Sequence, residues 1–318
     1  MPNQKCPLFL GLVIILGLFS CQSNREEAAV EATAVLSEGA QAISLRGEPL
    51  FSKGPNIQLI EQYNAAKAAF EAHPDNVDTL IWYGRRAAYM GNYREAIDIY
   101  SIGIERFPDN PRLYRHRGHR YLTVREFNNA IKDLEKGSEL IQNTEDEVEP
   151  DGMPNELGVP VSTLHGNIYY HLGLAYYFKN DRERSLKAFQ KCLDAAVNDD
   201  NIVSATHWIY MILQRMLLPD LAEKYLAPIF TEMDVVENKA YYQMCLFYKG
   251  LMTLDELEAQ SRSSTSSDAI TYGIGNWYYY NQQQDKAKEI FEELIKKDSW
   301  NSFGYIAAEA DLVNLFGE

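Results

Sequence analysis

The sequence predicts an all-α fold, a solenoid of stacked helix pairs, and two observations lead to this prediction. Small residues recur with a period of 34: Gly84 and Gly118, Ala96 and Ala130, Gly103 and Gly137. The tripeptide Pro-Asp-Asn also occurs at 74–76 and again at 108–110, where a proline ends one helix and allows the next to begin. A fixed period of this length indicates helical units that bury their apolar faces only by stacking on one another.

The N-terminal segment is typical of an exported protein. Lys5 precedes an apolar run of 12 residues, Leu8 to Phe19, which is too short to cross a bilayer about 30 Å thick. The run ends in Ser20-Cys21, which resembles the lipobox of bacterial lipoproteins. The resemblance implies a signal peptide over residues 1–20 and a lipid on Cys21. A plain secretory signal with an incidental cysteine is the alternative.

Residues 21–56 are predicted to form a flexible, lipid-anchored tether. The stretch 25–42 is rich in Ala and Glu, and glycines and prolines between positions 39 and 55 interrupt any regular element. The lipobox resemblance implies a bacterial cell envelope protein held at the membrane by its anchor. Gln22 stands where an inner-membrane retention signal would have Asp, so the outer membrane is the expected location.

Four segments share one repeat pattern: 77–110, 111–144, 166–199 and 268–301. In the first, Gly84, Ala96 and Pro108 stand at positions 8, 20 and 32 of a 34-residue unit. This pattern is similar to the tetratricopeptide repeat. The resemblance implies a right-handed α-solenoid over 57–318, with about six units, two of them degenerate. A helix over 58–73 precedes the first unit, and a capping helix over Phe303–Phe316 follows the last.

An acidic insertion at 145–165 separates the second and third clear units. It holds six acidic residues and no Lys or Arg, and its prolines preclude a long helix. We hypothesise that it folds back over the concave face as a lid, with its carboxylates paired to Arg85, Arg112 or Arg115. A free, solvated loop is the alternative.

The resemblance implies that the first helix of each unit lines a concave groove. Arg85, Arg112, Arg115 and His119 fall at groove positions of the first two units, and arginine binds carboxylates through its planar fork. The later units place polar and tyrosine side chains there, and tyrosine is favoured in recognition surfaces. These are Asn167, Tyr170, Tyr177, Tyr272, Asn276 and Tyr279. We therefore expect a groove that binds an extended or acidic peptide segment of another envelope protein.

Composition and motifs narrow the function further. The formal net charge of −15 argues against binding to nucleic acid. Common catalytic, nucleotide-binding and metal-binding motifs are absent from the sequence, and His116 and His119 alone are too few ligands for an ordinary metal site. The expectation is a non-catalytic scaffold without a cofactor. A carbohydrate-uptake accessory lipoprotein and a helical hydrolase without a recognisable motif remain the alternatives.

Overall fold

The computed structural model describes residues 36–263 and 267–317. The predicted signal peptide and Cys21 lie outside the described residues. Within the part that is described, no helix combines the length and apolar character needed to cross a membrane.

Helix α1, Ile57–Ala72, precedes an array of helix pairs, each joined by a short turn. The pairs are α2 Val77–Tyr89 with α3 Tyr93–Arg106, α4 Pro111–Thr123 with α5 Phe127–Leu140, α6 Leu164–Phe178 with α7 Arg182–Asp194, α8 Asp199–Arg215 with α9 Pro219–Tyr225, α10 Lys239–Tyr248 with α11 Leu254–Ser263, and α12 Ser267–Tyr280 with α13 Gln284–Leu294. This all-helical array of stacked pairs confirms the predicted solenoid class.

The recurring glycine of each clear unit lets its two helices approach closely. A Cβ on Gly84 would lie 2.5 Å from Cε1 of Tyr100, and one on Gly173 would lie 2.6 Å from the ring of Phe189. In both units the contacting side chain stands 16 residues after the glycine. The same offset relates Gly118 to Leu134 and Gly275 to Phe291. The 34-residue period therefore reports one packing contact repeated along the array.

A short antiparallel hairpin precedes the helices, with strands β1 Ala42–Ile43 and β2 Pro49–Leu50. The backbone N–H of Leu45 donates to Oε1 of Glu309 at 2.9 Å, so the hairpin is bonded to the C-terminal helix. The prediction of a flexible tether therefore does not hold for 36–56. Of the glycines and prolines that indicated irregular structure there, Gly47 lies in the turn of the hairpin and Pro49 in β2, whereas Gly54 and Pro55 lie in the connection to α1.

The C-terminal helix α14, Phe303–Phe316, has the predicted bounds but an unexpected position. It contacts α6 and α12 as well as its neighbour α13, and the residues from Gly304 to Leu312 are all buried. Glu309 on α14 pairs with Arg125, in the turn between α4 and α5, at 2.9 Å, and both side chains are 2% exposed. Helix α14 thus lies against first helices of earlier pairs, on the side where a groove was expected.

Candidate functional site

The C-terminal part of the expected groove is filled by α14. Arg215 of α8 donates to both carboxylate oxygens of Asp311, at 2.8 and 2.6 Å, and to Oδ1 of Asn276 at 2.6 Å. Tyr272 donates to Asp311 at 2.8 Å, and its hydroxyl lies 2.6 Å from that of Tyr177. Tyr177, Tyr272 and Asn276 are all buried. Their predicted contact with a partner is corrected: the chain's own helix α14 occupies the space in front of them.

Tyr279 belongs to the edge of the same cluster. The guanidinium carbon of Arg215 lies 4.9 Å from the centre of the Tyr279 ring. The Tyr279 ring also lies 6.2 Å from that of Phe316 at the end of α14. This half-buried tyrosine therefore supports α14 and is not part of an open groove.

The N-terminal part of the groove is covered by the loop between α5 and α6, residues 141–163, here called the acidic loop. Oε2 of Glu149 lies 2.8 Å from Nη2 of Arg115, and its Oε1 lies 3.7 Å from Nε2 of His116. Glu149 also accepts a hydrogen bond from the side-chain amide of Asn167. The Glu149 side chain is only 7% exposed. The hypothesised fold-back, with a loop carboxylate on Arg115, is thus the arrangement observed.

Arginines of α2 hold the backbone of the acidic loop. Nη1 of Arg85 donates to the carbonyl of Pro150 at 2.8 Å, and Nη1 of Arg86 donates to that of Gly152 at 3.0 Å. Arg85 and Arg115 line a common small space of about 110 Å³ beneath the loop. The structure therefore brings these two predicted groove residues together.

Arg112 does not line the space shared by Arg85 and Arg115. Its Nη1 lies 2.7 Å from Oδ1 of Asp78 at the start of α2, and the Asp78 side chain is 59% exposed. Arg112 thus forms a surface ion pair between neighbouring units.

A cavity of about 300 Å³ lies between α4, α6, α8, α10 and the first residue of α14, and we call it the central cavity. Its lining includes four predicted groove residues: Arg115, His119, Asn167 and Tyr170. Residues that the sequence did not single out also line it, among them His171, Asn201, Asn238, Tyr241 and Phe303.

The central cavity contains two histidines in ring contact. The ring centres of His119 and His171 are 4.3 Å apart. Burial lowers the pKa of both imidazoles well below their usual value, and the positive charges of Arg120 near His119 and of Arg115 near His171 lower it further. Both histidines are therefore neutral at physiological pH.

Sequence reasoning missed His171, Tyr241 and Phe303 for different reasons. His171 stands on the first helix of a clear unit, one residue away from a predicted groove position. Tyr241 lies in a degenerate unit, and Phe303 was assigned only to a capping helix. Among the described residues, no group of three or more His, Cys, Asp or Glu side chains could hold a metal ion.

Comparison with known proteins identifies repeats in two places. Residues 166–198 and 268–299 match two models of the tetratricopeptide repeat. No curated protein matches the chain. The two matched segments correspond to the pairs α6–α7 and α12–α13, so the chain carries tetratricopeptide repeats, which are generally scaffolds for protein–protein interaction and typically non-catalytic.

Solved structures with a similar arrangement include three that cover most of this chain. YrrB, described as a TPR protein with an unusual peptide-binding site, is 15% identical, with a TM-score of 0.40 over 74% of this chain and 92% of its own. A tetratricopeptide repeat protein from Parabacteroides merdae ATCC 43184 is 16% identical, with a TM-score of 0.46 over 78% and 92%. The Cut9–Hcn1 structure from the APC/C is 13% identical, with a TM-score of 0.35 over 80% and 45%.

Proposed function

We propose that this chain is a non-catalytic interaction scaffold that binds an acidic segment of a partner protein at Arg115. In the free protein, Glu149 of the acidic loop occupies the place of the partner's carboxylate. The observation behind this proposal is the Glu149 carboxylate itself, which is nearly buried and held by Arg115 and Asn167.

Arg115 has the chemistry to receive a carboxylate from elsewhere. Its Nη2 pairs with Glu149 and its Nη1 donates to Nδ1 of His116 at 2.9 Å, whereas its Nε is buried without a hydrogen-bond partner. A guanidinium binds carboxylates best through two parallel N–H groups, and here one of the available donors is unused. A partner's carboxylate could therefore make contacts that Glu149 does not make.

The acidic loop is built so that it can be displaced. Val148, Met153 and Leu157 are 57%, 65% and 68% exposed, so these side chains contribute little buried apolar area. Segments with few buried apolar contacts open at low free-energy cost. Because Glu149 is tethered next to Arg115, it competes with a partner at high effective concentration. Removing its charge should strengthen partner binding by about tenfold, or about 1.4 kcal/mol.

The envelope location forms a second part of the proposal. It is supported by the short apolar run that ends in Ser20-Cys21, which resembles a lipobox, and it makes the partner another envelope protein. Several acyl chains on Cys21 would anchor the protein stably, with the outer membrane as the expected site. Changing Cys21→Ala should move the protein from the membrane fraction to the soluble fraction and abolish palmitate incorporation. Unchanged membrane fractionation would contradict the anchor.

Quantitative capture from solubilised native membranes tests the scaffold. Wild type is compared with Arg115→Ala, Glu149→Gln and the matched control Arg112→Ala, all checked for equal thermal stability. We expect one set of captured proteins to be lost with Arg115→Ala, enriched with Glu149→Gln and unchanged with Arg112→Ala. Equal capture by all four proteins would overturn the proposal that Arg115 is the binding residue.

A further inference from the structure

The central cavity has features that the binding of an acidic segment does not use. The acidic loop engages Arg115 and Asn167 at one side of it. Other walls are formed by α8 and α10, and the ion pairs and side-chain hydrogen bonds of Glu149 involve none of His171, Tyr241 and Phe303. These walls call for a separate explanation.

The lining of the central cavity carries no net charge. Arg115 is the one lysine or arginine that lines it, and the Glu149 carboxylate neutralises it at 2.8 Å. His119 and His171 are neutral because burial holds their pKa well below the usual value. Burial also raises the pKa of Cys192 and of Tyr241, so both keep their protons. Among the described residues no carboxylate lines the cavity. As long as Glu149 stays paired with Arg115, a charged ligand would find no free counter-charge there.

The walls nevertheless offer unused hydrogen-bonding groups. Nδ1 of His171 lies 2.6 Å from the carbonyl of Asn167, to which it must donate, so Nε2 of the neutral ring carries a lone pair. No described group donates to that Nε2, and His171 is 4% exposed. The cavity wall therefore carries an acceptor to which no described group donates.

A donor without an acceptor lies on the neighbouring wall. The hydroxyls of Tyr170 and Tyr241 are 2.8 Å apart, and Nε1 of Trp208 donates to the Tyr170 hydroxyl at 3.2 Å. Each of the two hydroxyl groups carries one proton, and the hydrogen bond between Tyr170 and Tyr241 uses only one of them. The second proton has no acceptor among the described residues.

An aromatic ring completes the lining. Phe303, at the start of α14, has its ring centre 5.3 Å from that of His119 and 5.6 Å from that of His171. The cavity thus combines an apolar wall with a donor and an acceptor on other walls. Its volume of about 300 Å³ is at the small end of ligand pockets, which range from about 300 to 1,000 Å³.

We infer that the central cavity binds a small, uncharged, hydroxyl-bearing ring molecule, of the size and chemistry of a neutral monosaccharide or cyclic polyol. A ring hydroxyl donates to Nε2 of His171, another accepts from the phenol pair, and the C–H face of the ring rests on Phe303. This site is distinct from the carboxylate exchange proposed at Arg115, although Arg115 links the two.

Titration calorimetry and saturation-transfer NMR on the full-length protein test the site. The probes are glucose, galactose, N-acetylglucosamine and myo-inositol, with glucuronate and glucosamine as charged counterparts of the same ring size. We expect saturable binding of at least one neutral probe and no comparable binding of its charged counterparts. Absence of saturable binding by every neutral probe at millimolar concentration would overturn the inference, as would a preference for glucuronate in the wild type.

Variants locate the binding. His171→Leu removes the acceptor at similar volume and should weaken binding of the neutral probe at least tenfold, whereas the exposed His73→Leu should leave it unchanged. If His171→Leu does not fold, Phe303→Leu, which removes the ring but keeps an apolar side chain, serves the same purpose. Equal affinity in wild type and in the folded cavity variant would contradict the site.

One further variant separates this site from the proposed function. Glu149→Gln leaves Arg115 without its counter-charge, so the cavity should gain affinity for glucuronate while it keeps the neutral probe. Loss of protein capture by Arg115→Ala with sugar binding intact would uphold both sites. Sugar binding without any capture would uphold the cavity and contradict only the scaffold.

Discussion

The two halves of the concave face begin from equivalent repeat positions and end in different environments. In the N-terminal half, Arg115 of α4 meets the carboxylate of a polar loop, most of whose apolar side chains are exposed. In the C-terminal half, Tyr272 and Asn276 of α12 meet Arg215 and Asp311 in a fully buried network. This comparison indicates that a residue at a groove position of the repeat is available to a partner only where the segment that covers it can be displaced.

The two segments that cover the concave face, helix α14 and the acidic loop, differ in composition. This difference explains why one is held more firmly than the other. Helix α14 buries Ile306, Ala307 and Ala308 completely, so its removal would expose a large apolar area. The acidic loop is rich in proline and carboxylates and is held mainly by polar contacts. Arg85 and Arg86 of α2 donate to its backbone, Arg115 and Asn167 hold Glu149, and Asn198 and Asn201 donate to the carbonyl of Val161. Helix α14 is accordingly part of the core, whereas the loop is the cover that we propose can be displaced.

The largest effect is expected from breaking the buried network. Asp311→Ala leaves the Arg215 guanidinium, 2% exposed, without its counter-charge. Removing one partner of a buried ion pair costs about 3–5 kcal/mol of unfolding free energy. Urea-induced unfolding followed by circular dichroism measures this loss.

A double variant provides the control for this prediction. Arg215→Met with Asp311→Leu removes both charges and should recover most of the stability, because well-packed apolar residues can replace a buried ion pair. A loss below about 1 kcal/mol for Asp311→Ala, a value typical of surface ion pairs, would show that the C-terminal half is not the rigid half.

The docking of α14 can be perturbed with a single methyl group. A Cβ on Gly304 would lie 2.5 Å from the backbone oxygen of Asp268, which cannot move away as a side chain can. Gly304→Ala should therefore destabilise the protein by about 1–3 kcal/mol, the range for overpacking. Gly137→Ala is the matched control, since its nearest neighbour would be Ile168 at 3.5 Å and alanine favours the helix. Equal unfolding midpoints for the two variants would contradict the close approach of α14.

The Glu149–Arg115 contact and the docking of α14 show which features of the structure can be predicted from the sequence. The 34-residue period and the Pro-Asp-Asn turns predict the helix pairs, because each reflects a local packing or backbone constraint. The acidic insertion after a basic unit also led to the pairing on Arg115, because opposite charges close in sequence can meet. The docking of α14 depends on how the solenoid curves, which no local pattern specifies.

One signal for α14 was nevertheless present. The segment Phe303–Phe316 is predominantly apolar and lacks a continuous polar face, which is typical of a helix that is largely buried. Glu309 and Asp311 within it then require buried cations as partners, which Arg125 and Arg215 provide. The repeat positions of Tyr177 and Tyr272 carry no such information about what covers them.

The buried His207 should make the free energy of unfolding depend on pH. Burial lowers the pKa of His207 from 6.5 to about 3, so between these values the unfolded state binds one more proton than the folded state. The unfolding free energy should therefore fall as pH falls below about 6.5, by at most about 1.4 kcal/mol per pH unit from this residue. Urea unfolding of wild type and His207→Leu between pH 7 and pH 4.5 measures the difference in slope. Identical slopes would contradict a neutral, buried His207.

The smallest effect on stability is expected from the surface ion pair between Arg112 and Asp78. Arg112 pairs with a largely exposed Asp78, and such pairs contribute about 0–1 kcal/mol. Arg112→Ala should leave the unfolding midpoint nearly unchanged, in contrast to Asp311→Ala. A loss above about 2 kcal/mol would show that Arg112 has a structural role that its exposure does not indicate.

The measurement that tests the central claim most directly uses the chain's own acidic loop as a ligand. The receptor is a variant in which residues 146–160 are replaced by a short glycine-serine linker, with its fold checked by circular dichroism. The probe is a fluorescein-labelled synthetic peptide of residues 145–160, followed by fluorescence anisotropy. We predict that this peptide binds, that the same peptide with Glu149→Gln binds at least tenfold more weakly, and that Arg115→Ala in the receptor abolishes the difference. Equal binding of the two peptides would contradict the claim that Glu149 stands in for a partner's carboxylate.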